Sequence, residues 1–571
     1  MDLDFRHNAV LQEEVSLLFD EVASSCKEKY NYLITSASNP LLSDVDWWSE
    51  NTSSRDTFSS PLFHYVCCIE LFKAILAKGL FIPSKVLVES RELLIILESV
   101  TDEYPHIDIE IIYKKKISTK FKNFIKNFYY EWFFLTRIVR IFLSKYIYYE
   151  RYDTDSSHSL VLIDTFITSN FIHDDRWYGS FWTHLSEEAR REVYFVPSIV
   201  DTSLIGFYKI LKGIRYSERN NILKEDFLTL RDVGYAYLHK FRVKNLKIGP
   251  SFLGSTDVTN LLREDLLSNR DIHSTMEALL IYRFLKNLSL TSIKVRLSID
   301  WFEGHSIDKI WNLGMYHFFP NTKRIGYETY RNYSYYLSIF PIEIERKAEV
   351  IPDVMAVQGP GCIETIQEYL PSQDVISVPA FKNEYIWEDH KYDENSKGRV
   401  LVALPISKET SARILDILIE TSNKSISKDI IFVVKPHPAV EVQDIRKIMQ
   451  NPIPMNFRFT EEKIFYKLLF QSALLVTEAS SVCIEALAVG RPVIIIKNTS
   501  GLSYDPIPKG IPENMYMHCK SSPDLELALN KFLSLSQNEI SVNLENGRLI
   551  REEYFEPFTQ EGLNRFLDLG N

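Results

Sequence analysis

Three stretches of the sequence gather groups that hold phosphate or move protons. In DIIFVVKPHP (429–438) an apolar run ends in Lys435 and His437, each followed by a proline, Pro436 and Pro438. A lysine supplies a compact positive charge and a histidine donates to a phosphate oxygen. The prolines stiffen the chain that presents them. In LLVTEASSVCIEALAVGRPVIII (474–496) a strand pattern passes through TEASS into a helix pattern. Ser480 and Ser481 fall at the helix start, where unsatisfied N–H groups and the positive end of the dipole favour an anion. One serine suffices to cap the helix, which leaves the other for different work. Glu478 precedes them, and Glu485 lies one turn on, placed either to extend the cap or to face a ligand. Both runs end on one edge of one sheet, and together they describe a site for a phosphate.

The third stretch, LSIDWFEGHSIDK (297–309), follows an apolar run with Asp300, Glu303, His305, Asp308 and Lys309, and Gly304 permits a tight turn. Carboxylates and a histidine at a strand end suit general acid–base or nucleophilic work. Asp308 also suits the start of a helix, where it would serve the dipole alone. LVLIDTFI (160–167) adds Asp164 inside an apolar run. A lone buried carboxylate is costly, so Asp164 is expected at the strand end or paired with a cation such as Arg176. Asp232, in TLRDVGYAYLHK, reads as a salt-bridging helix residue. PGCIETI (360–366) offers Glu364 near Gly359 and Gly361, glycines that a tight turn explains equally well.

Positioning these groups takes strands alternating with helices. From Ser159 the runs SLVLIDTFI, EVYFVPSIV, SIKVRLSIDWF, DVMAVQGPG and DVISVPAF recur at helix-length intervals. That is the pattern of a parallel sheet with crossover helices. The polar stretch KNEYIWEDHKYDENSKG (382–398) reads as a linker, after which RVLVALPIS, DIIFVVKPHP, ALLVTEASS, RPVIIIKN and MYMHCKS form a second series. The expected fold is α/β, two facing Rossmann-like domains with the ligand at the carboxyl ends of the strands. The expected units are a helical N-terminal extension (1–155), an acceptor or catalytic domain (156–390), a donor domain (391–542) and a closing helix (543–571). The Rossmann glycine fingerprint is absent, which argues against a dinucleotide cofactor.

KPHP followed by EASS…EALAVGRPVI resembles the donor-binding domain of GT-B glycosyltransferases over residues 395–540. It is most similar to bacterial sialyl-, polysialyl- and Kdo-transferases, which use CMP-activated sugars. The resemblance implies transfer of a nonulosonate-type sugar from a CMP donor to a glycan or lipid-linked glycan acceptor in surface polysaccharide synthesis. It implies no metal and no cofactor besides the donor. By position, His437 and Pro438 match the HP motif and Ser480 with Ser481 the SS motif, which in the family hold the CMP phosphate. Lys435 matches the family's lysine, and Glu461 or Glu462 stands where a glutamate would contact the nucleoside. FEG resembles the acidic-acidic-glycine motif of polysialyltransferases, whose second acid is the base; Glu303 stands there, and Phe302 replaces the first acid. HP also occurs in polymerases that use CDP-glycerol, and EASS…E is similar to loops of UDP-sugar enzymes. A CDP-glycerol or CDP-ribitol phosphotransferase, a UDP-sugar transferase and a non-catalytic polysaccharide-assembly scaffold therefore stand as alternatives.

The bulk numbers agree with an ordinary globular protein: 571 residues, 45% hydrophobic and 25% charged. A net charge of −11 argues against a general nucleic-acid binder. The six cysteines show no CxxC or metal-ligand spacing, and MDLDFRHNAVLQEE lacks a signal-peptide core, so a cytoplasmic protein with reduced thiols is expected. The basic aromatic stretch 114–152 is broken by charges too often to span a bilayer. Its interleaved lysines and aromatics suit either peripheral contact with the inner membrane or a core helix with a solvated lysine face.

Overall fold

The structure, a computed structural model, describes all residues except 1, 8, 10, 115–118, 148–158, 169–174, 201–202, 269–271, 330–333, 389–395, 426–429, 438–439, 461, 463, 499–501, 503 and 570–571; of 13, 119–129, 147, 424 and 425 it describes the backbone alone. Pro438 and Glu461 thus lie outside the described residues.

Three parallel sheets organise the chain. The first, in the order β1-β2-β3, joins β1 (Asp2–Asp4), β2 (Lys85–Val88) and β3 (Glu110–Tyr113). This adds a small sheet to the helical extension expected over 1–155. The strands have three or four residues and are partly exposed, so no apolar run marks them. Between β2 and β3 the chain enters helix Arg91–Asp102 through Ser90, whose side chain accepts from the Leu93 amide.

The second sheet holds β4 (Ser159–Ile167) and β5 (Val193–Ile199). Past a hairpin of β6 (Phe252–Leu253) and β7 (Thr256–Asp257) it adds β8 (Lys294–Trp301), β9 (Lys323–Glu328), β10 (Val354–Val357) and β11 (Asp374–Ser377). The third is built from β12 (Arg399–Ala403), β13 (Ile431–Lys435), β14 (Phe457–Phe459), β15 (Leu474–Thr477), β16 (Val493–Ile496) and β17 (Tyr516–Cys519). Their orders are β11-β10-β9-β8-β4-β5 and β14-β13-β12-β15-β16-β17, parallel throughout. The two Rossmann-like halves of the expected GT-B-like fold are present. Sequence patterning misses β9, whose KRIGYE opens on charge and pairs Arg324 with Glu349 and Asp353, and β14, which has three residues.

Strand order reverses once in each sheet, between β4 and β8 and between β12 and β15. Crossovers leave such a point on opposite faces, so a crevice opens beyond the carboxyl ends of the strands. The FEGHS turn follows β8 and TEASS follows β15, so both sit at these reversals.

The tail ties the two large sheets together. Helix Gln537–Tyr554 packs on helix Val482–Ala488 and on the turn Pro360–Cys362. Helix Gln560–Phe566 then returns to the second sheet, where Phe566 meets Tyr327 and Phe381. A Cβ on Gly359 would lie 2.3 Å from the Tyr554 carbonyl carbon, so glycine there admits the tail. The turn is thus shaped by the tail, and Glu364 is exposed. The linker is also more than a solvated bridge. Phe381, Asn383 and Ile386 are buried in the 3₁₀ helix Phe381–Trp387.

Buried ions fasten the N-terminal region. His239 sits between Asp46 (Nδ1 to Oδ1, 2.7 Å) and Glu50 (Nε2 to Oε1, 2.5 Å). Burial alone favours the neutral ring, but bonds to the two carboxylates prevail and raise its pKa from 6.5 to about 9. The folded value exceeds the unfolded one, so the resulting stabilisation is complete below pH 6.5 and is lost as pH rises through 9. At roughly 1.4 kcal/mol per pKa unit it amounts to about 3 kcal/mol. Urea midpoints are expected to fall between pH 7 and pH 10 in wild type and distinctly less in His239→Gln; equal falls would contradict this.

Candidate functional site

The turn after β8 builds the first half of the site. Gly304 takes φ +70°, and a Cβ there would lie 1.8 Å from the Ser338 carbonyl oxygen, so only glycine fits. Trp301 Nε1 donates to Glu303 Oε1 at 2.5 Å, and His305 Nε2 lies 3.1 Å from Glu303 Oε2. Tyr336 OH is 2.8 Å from His305 Nε2 and donates to Glu303 Oε2 at 3.3 Å. On its other side His305 Nδ1 is 3.4 Å from Asp56 Oδ2. Desolvation opposes charge on His305, but its bonds to Asp56 and Glu303 hold its pKa well above the usual value. Burial pushes Asp56 up, and His305, Ser59 and the Phe58 amide outweigh it and bring the carboxyl below its ordinary range. The result is a carboxylate–imidazolium–carboxylate row, with the Glu303 side chain 14% exposed. Asp308 accepts the amides of Glu303 (2.8 Å) and His305 (3.0 Å), so it caps helix Ser306–Phe318 and holds the turn.

Asp164 and Asp300 are not part of this row. Ile163 and Ile299 pair across β4 and β8, and the aspartates that follow are 1% and 0% exposed. Burial holds both carboxyls well above their ordinary range, the charge of Asp308 raises each further, and Asp164 also raises Asp300. Asn312 Nδ2 donates to Asp300 Oδ2 at 3.0 Å, whereas neither Asp164 oxygen has a hydrogen-bond partner among the described residues. Arg176 does not pair with Asp164; it lies over the Trp177 ring. The expectation that these aspartates face the cleft is therefore corrected. Both side chains are buried, out of a substrate's reach. Asp232 pairs with Arg283 at 2.6 Å and belongs to a helix cap.

The third sheet supplies the other half. Lys435 Nζ donates to the Glu462 carbonyl at 2.6 Å, and Glu462 Oε1 accepts from the Ile464 amide at 3.0 Å, so both residues help hold the segment beyond β14. Burial, then the charges of Arg176 and Lys435, lower the His437 pKa. At neutral pH its ring is therefore neutral, and an arriving anion favours protonation. The expected capping serine is not found. Ser481 makes no side-chain cap, and the amides of Cys483 and Ile484 bond the carbonyls of Ser480 (3.1 Å) and Ser481 (3.3 Å). Both hydroxyls lack a partner among the described residues. Glu478 lies 3.5 Å from Arg413, and burial raises its pKa to about 7. Glu485 neither extends the cap nor faces the crevice: it accepts the Tyr385 hydroxyl from the linker helix.

Three contacts bring the two edges together. Tyr504, beyond β16, stacks on Phe58 at 4.8 Å, and Phe58 meets Tyr336 at 5.0 Å, the residue that holds Glu303 and His305. Lys382 lies 5.5 Å from the Trp301 ring centroid, and its charge reaches Glu485. Arg176, from the second sheet's side, acts electrostatically on His437 of the third. Sequence patterning misses Asp56, Tyr336, Lys382 and Tyr504. The available signal for Asp56 was NTSSRDT, a polar run set between apolar helices and here buried throughout. Among the described residues no group of His, Cys, Asp and Glu is placed to hold a metal ion. All six cysteines are buried thiols. An open groove of about 1090 Å³ between helix Glu13–Ser38 and the β6–β7 hairpin shares no residue with this site.

No family model matches the chain, and no curated protein matches it. Among solved structures, α,α-trehalose 6-phosphate synthase from Burkholderia multivorans superposes with a TM-score of 0.42 at 10% identity, over 72% of this chain and 96% of that one. UDP-GlcNAc 2-epimerase from Neisseria meningitidis, bound to UDP-GlcNAc, gives 0.41 at 10% identity over 72% and 98%. The glycosyltransferase SnogD from Streptomyces nogalater gives 0.41 at 12% identity over 72% and 99%. These likenesses carry no functional assignment.

Proposed function

We propose that the chain is a GT-B-type glycosyltransferase that moves a nonulosonate-type sugar, sialic-acid-like or Kdo, from a CMP donor to a surface-glycan acceptor. The observation that supports this is the meeting of two strand-end sites. The Glu303–His305–Asp56 row at the end of β8 connects, through Tyr336, Phe58 and Tyr504, to the sheet that presents His437, Ser480 and Ser481.

The donor phosphate lies between His437 and the two serine hydroxyls, with the charge of Arg176 nearby. Glu303 takes the acceptor hydroxyl's proton as that oxygen bonds the anomeric carbon. The bond from the anomeric carbon to the phosphate oxygen breaks, and the departing CMP keeps the electron pair. Trp301, His305 and Tyr336 fix the carboxylate in one orientation. Donor chemistry is tested by measuring nucleotide release from CMP-sialic acid, CMP-Kdo, UDP-sugars and CDP-glycerol with oligosaccharide acceptors. Acceptor-dependent release of CMP is expected, and release confined to UDP-sugars or CDP-glycerol would overturn the reading.

A further inference from the structure

Over residues 130–146, helix Thr119–Phe142 and the π turn Leu143–Ile147 that continues it are inverted in polarity. The side toward the protein carries Tyr130, Phe133, Ile141 and Ser144 together with two arginines. Arg137 is buried against Glu277, and Arg140 donates to the Ile199 carbonyl at 3.1 Å while lying over the Phe207 ring. The opposite side exposes Trp132 (53%), Leu135 (54%), Val139 (37%), Phe142 (54%) and Tyr146 (74%). These follow one another at spacings of three and four, a continuous stripe along the helix. A solvent-facing helix normally shows the reverse arrangement, with charge outward and apolar groups inward.

Helix Leu204–Arg215 packs beside it, with Phe207 under Arg140, and exposes Ile205, Tyr208, Lys209 and Lys212. The segment 114–152 holds ten basic residues against two acidic ones, eight of the ten besides the buried Arg137 and Arg140, within a chain of net charge −11. Aromatic and aliphatic groups set among lysines match the boundary of an anionic bilayer, where rings lie at headgroup depth and lysines meet lipid phosphates. The acidic remainder would be repelled by the same surface, which orients the contact. Among the described residues no helix is long and apolar enough to cross a membrane, so the contact is one of lying on the surface.

We infer that this helix face is a docking surface for an anionic lipid membrane. A pair of copies joined along the stripe is the competing occupant; the exposed lysines of the adjacent helix favour lipid, since like charges would face each other across such a pair.

The test is flotation of the full chain with phosphatidylcholine vesicles, with and without phosphatidylglycerol. The wild type is expected to float with the anionic vesicles and not with phosphatidylcholine alone. Leu135→Ser/Phe142→Ser should cut the bound fraction by about tenfold or more, with circular dichroism unchanged. Lys209→Glu/Lys212→Glu, which keeps the apolar stripe, should weaken binding to anionic vesicles specifically. Failure of the wild type to float, or serine and glutamate variants that float like wild type, would overturn the proposal. So would a dimer in sedimentation equilibrium that the serine variant abolishes.

Discussion

Glu303→Gln is expected to lower transfer turnover by about 10²–10⁴-fold while nucleotide affinity stays within a few-fold of wild type. The glutamine keeps the shape and can still accept from Trp301, so the turn and its Asp308 cap persist. What disappears is the anion between His305 and Tyr336, and with it the group that takes the acceptor's proton. The proposed phosphate site lies on the other sheet and shares no side chain with Glu303, so binding and turnover should separate. Turnover within tenfold of wild type would remove Glu303 as the base. Equal loss of nucleotide affinity would instead make it part of the donor site.

Glu345→Ala is expected to cost about 3–5 kcal/mol in urea unfolding, the usual penalty for orphaning buried charge. Glu345 is 1% exposed and meets two fully buried cations: Arg55 Nη2 at 3.0 Å and Lys309 Nζ at 2.6 Å. Arg55 also holds Asn31 Oδ1 at 2.8 Å and the Phe340 carbonyl, so it joins the N-terminal region to the second sheet. Burial already lowers the Lys309 pKa to about 8 despite Glu345. Without the carboxylate Lys309 can shed its proton, but the Arg55 guanidinium cannot, and its charge stays unpaired. Arg55 precedes Asp56, and Lys309 lies one turn beyond His305, so loss of turnover should accompany the loss of stability. A midpoint shift equivalent to under 1 kcal/mol, read at unchanged slope, would contradict this account of the buried triad.

How much of this is legible in the sequence depends on range. β13 and β15 announce themselves because each is a continuous apolar run bounded by polar residues, and β8 because Val295, Leu297, Ile299 and Trp301 alternate with polar residues; Glu303, His305 and His437 follow from their place at the ends of those strands. β9 and β14 lack such runs, since Arg324 needs acidic partners from residues 349 and 353 before it can be buried. Asp164 and Asp300 show a different gap: pattern places them near strand ends but does not say which face of the pleat is covered. Asp56 reaches His305, and Tyr385 reaches Glu485, only through packing between distant segments. A polar run such as 49–57 reads as a surface loop until the elements that bury it are in place. The N-terminal region, expected to be an appendage, thus contributes a member of the candidate catalytic row.

The central claim is that His437, Ser480 and Ser481 hold the phosphate of a cytidine nucleotide. Calorimetric titration of CMP, CDP, UDP and GDP into wild type and His437→Ala tests it most directly. CMP is expected to bind most tightly, and the substitution to weaken it by about 10- to 150-fold, the roughly 1.5–3 kcal/mol of one charge-assisted hydrogen bond. CMP affinity unchanged in His437→Ala, or a wild type that prefers UDP, would contradict it.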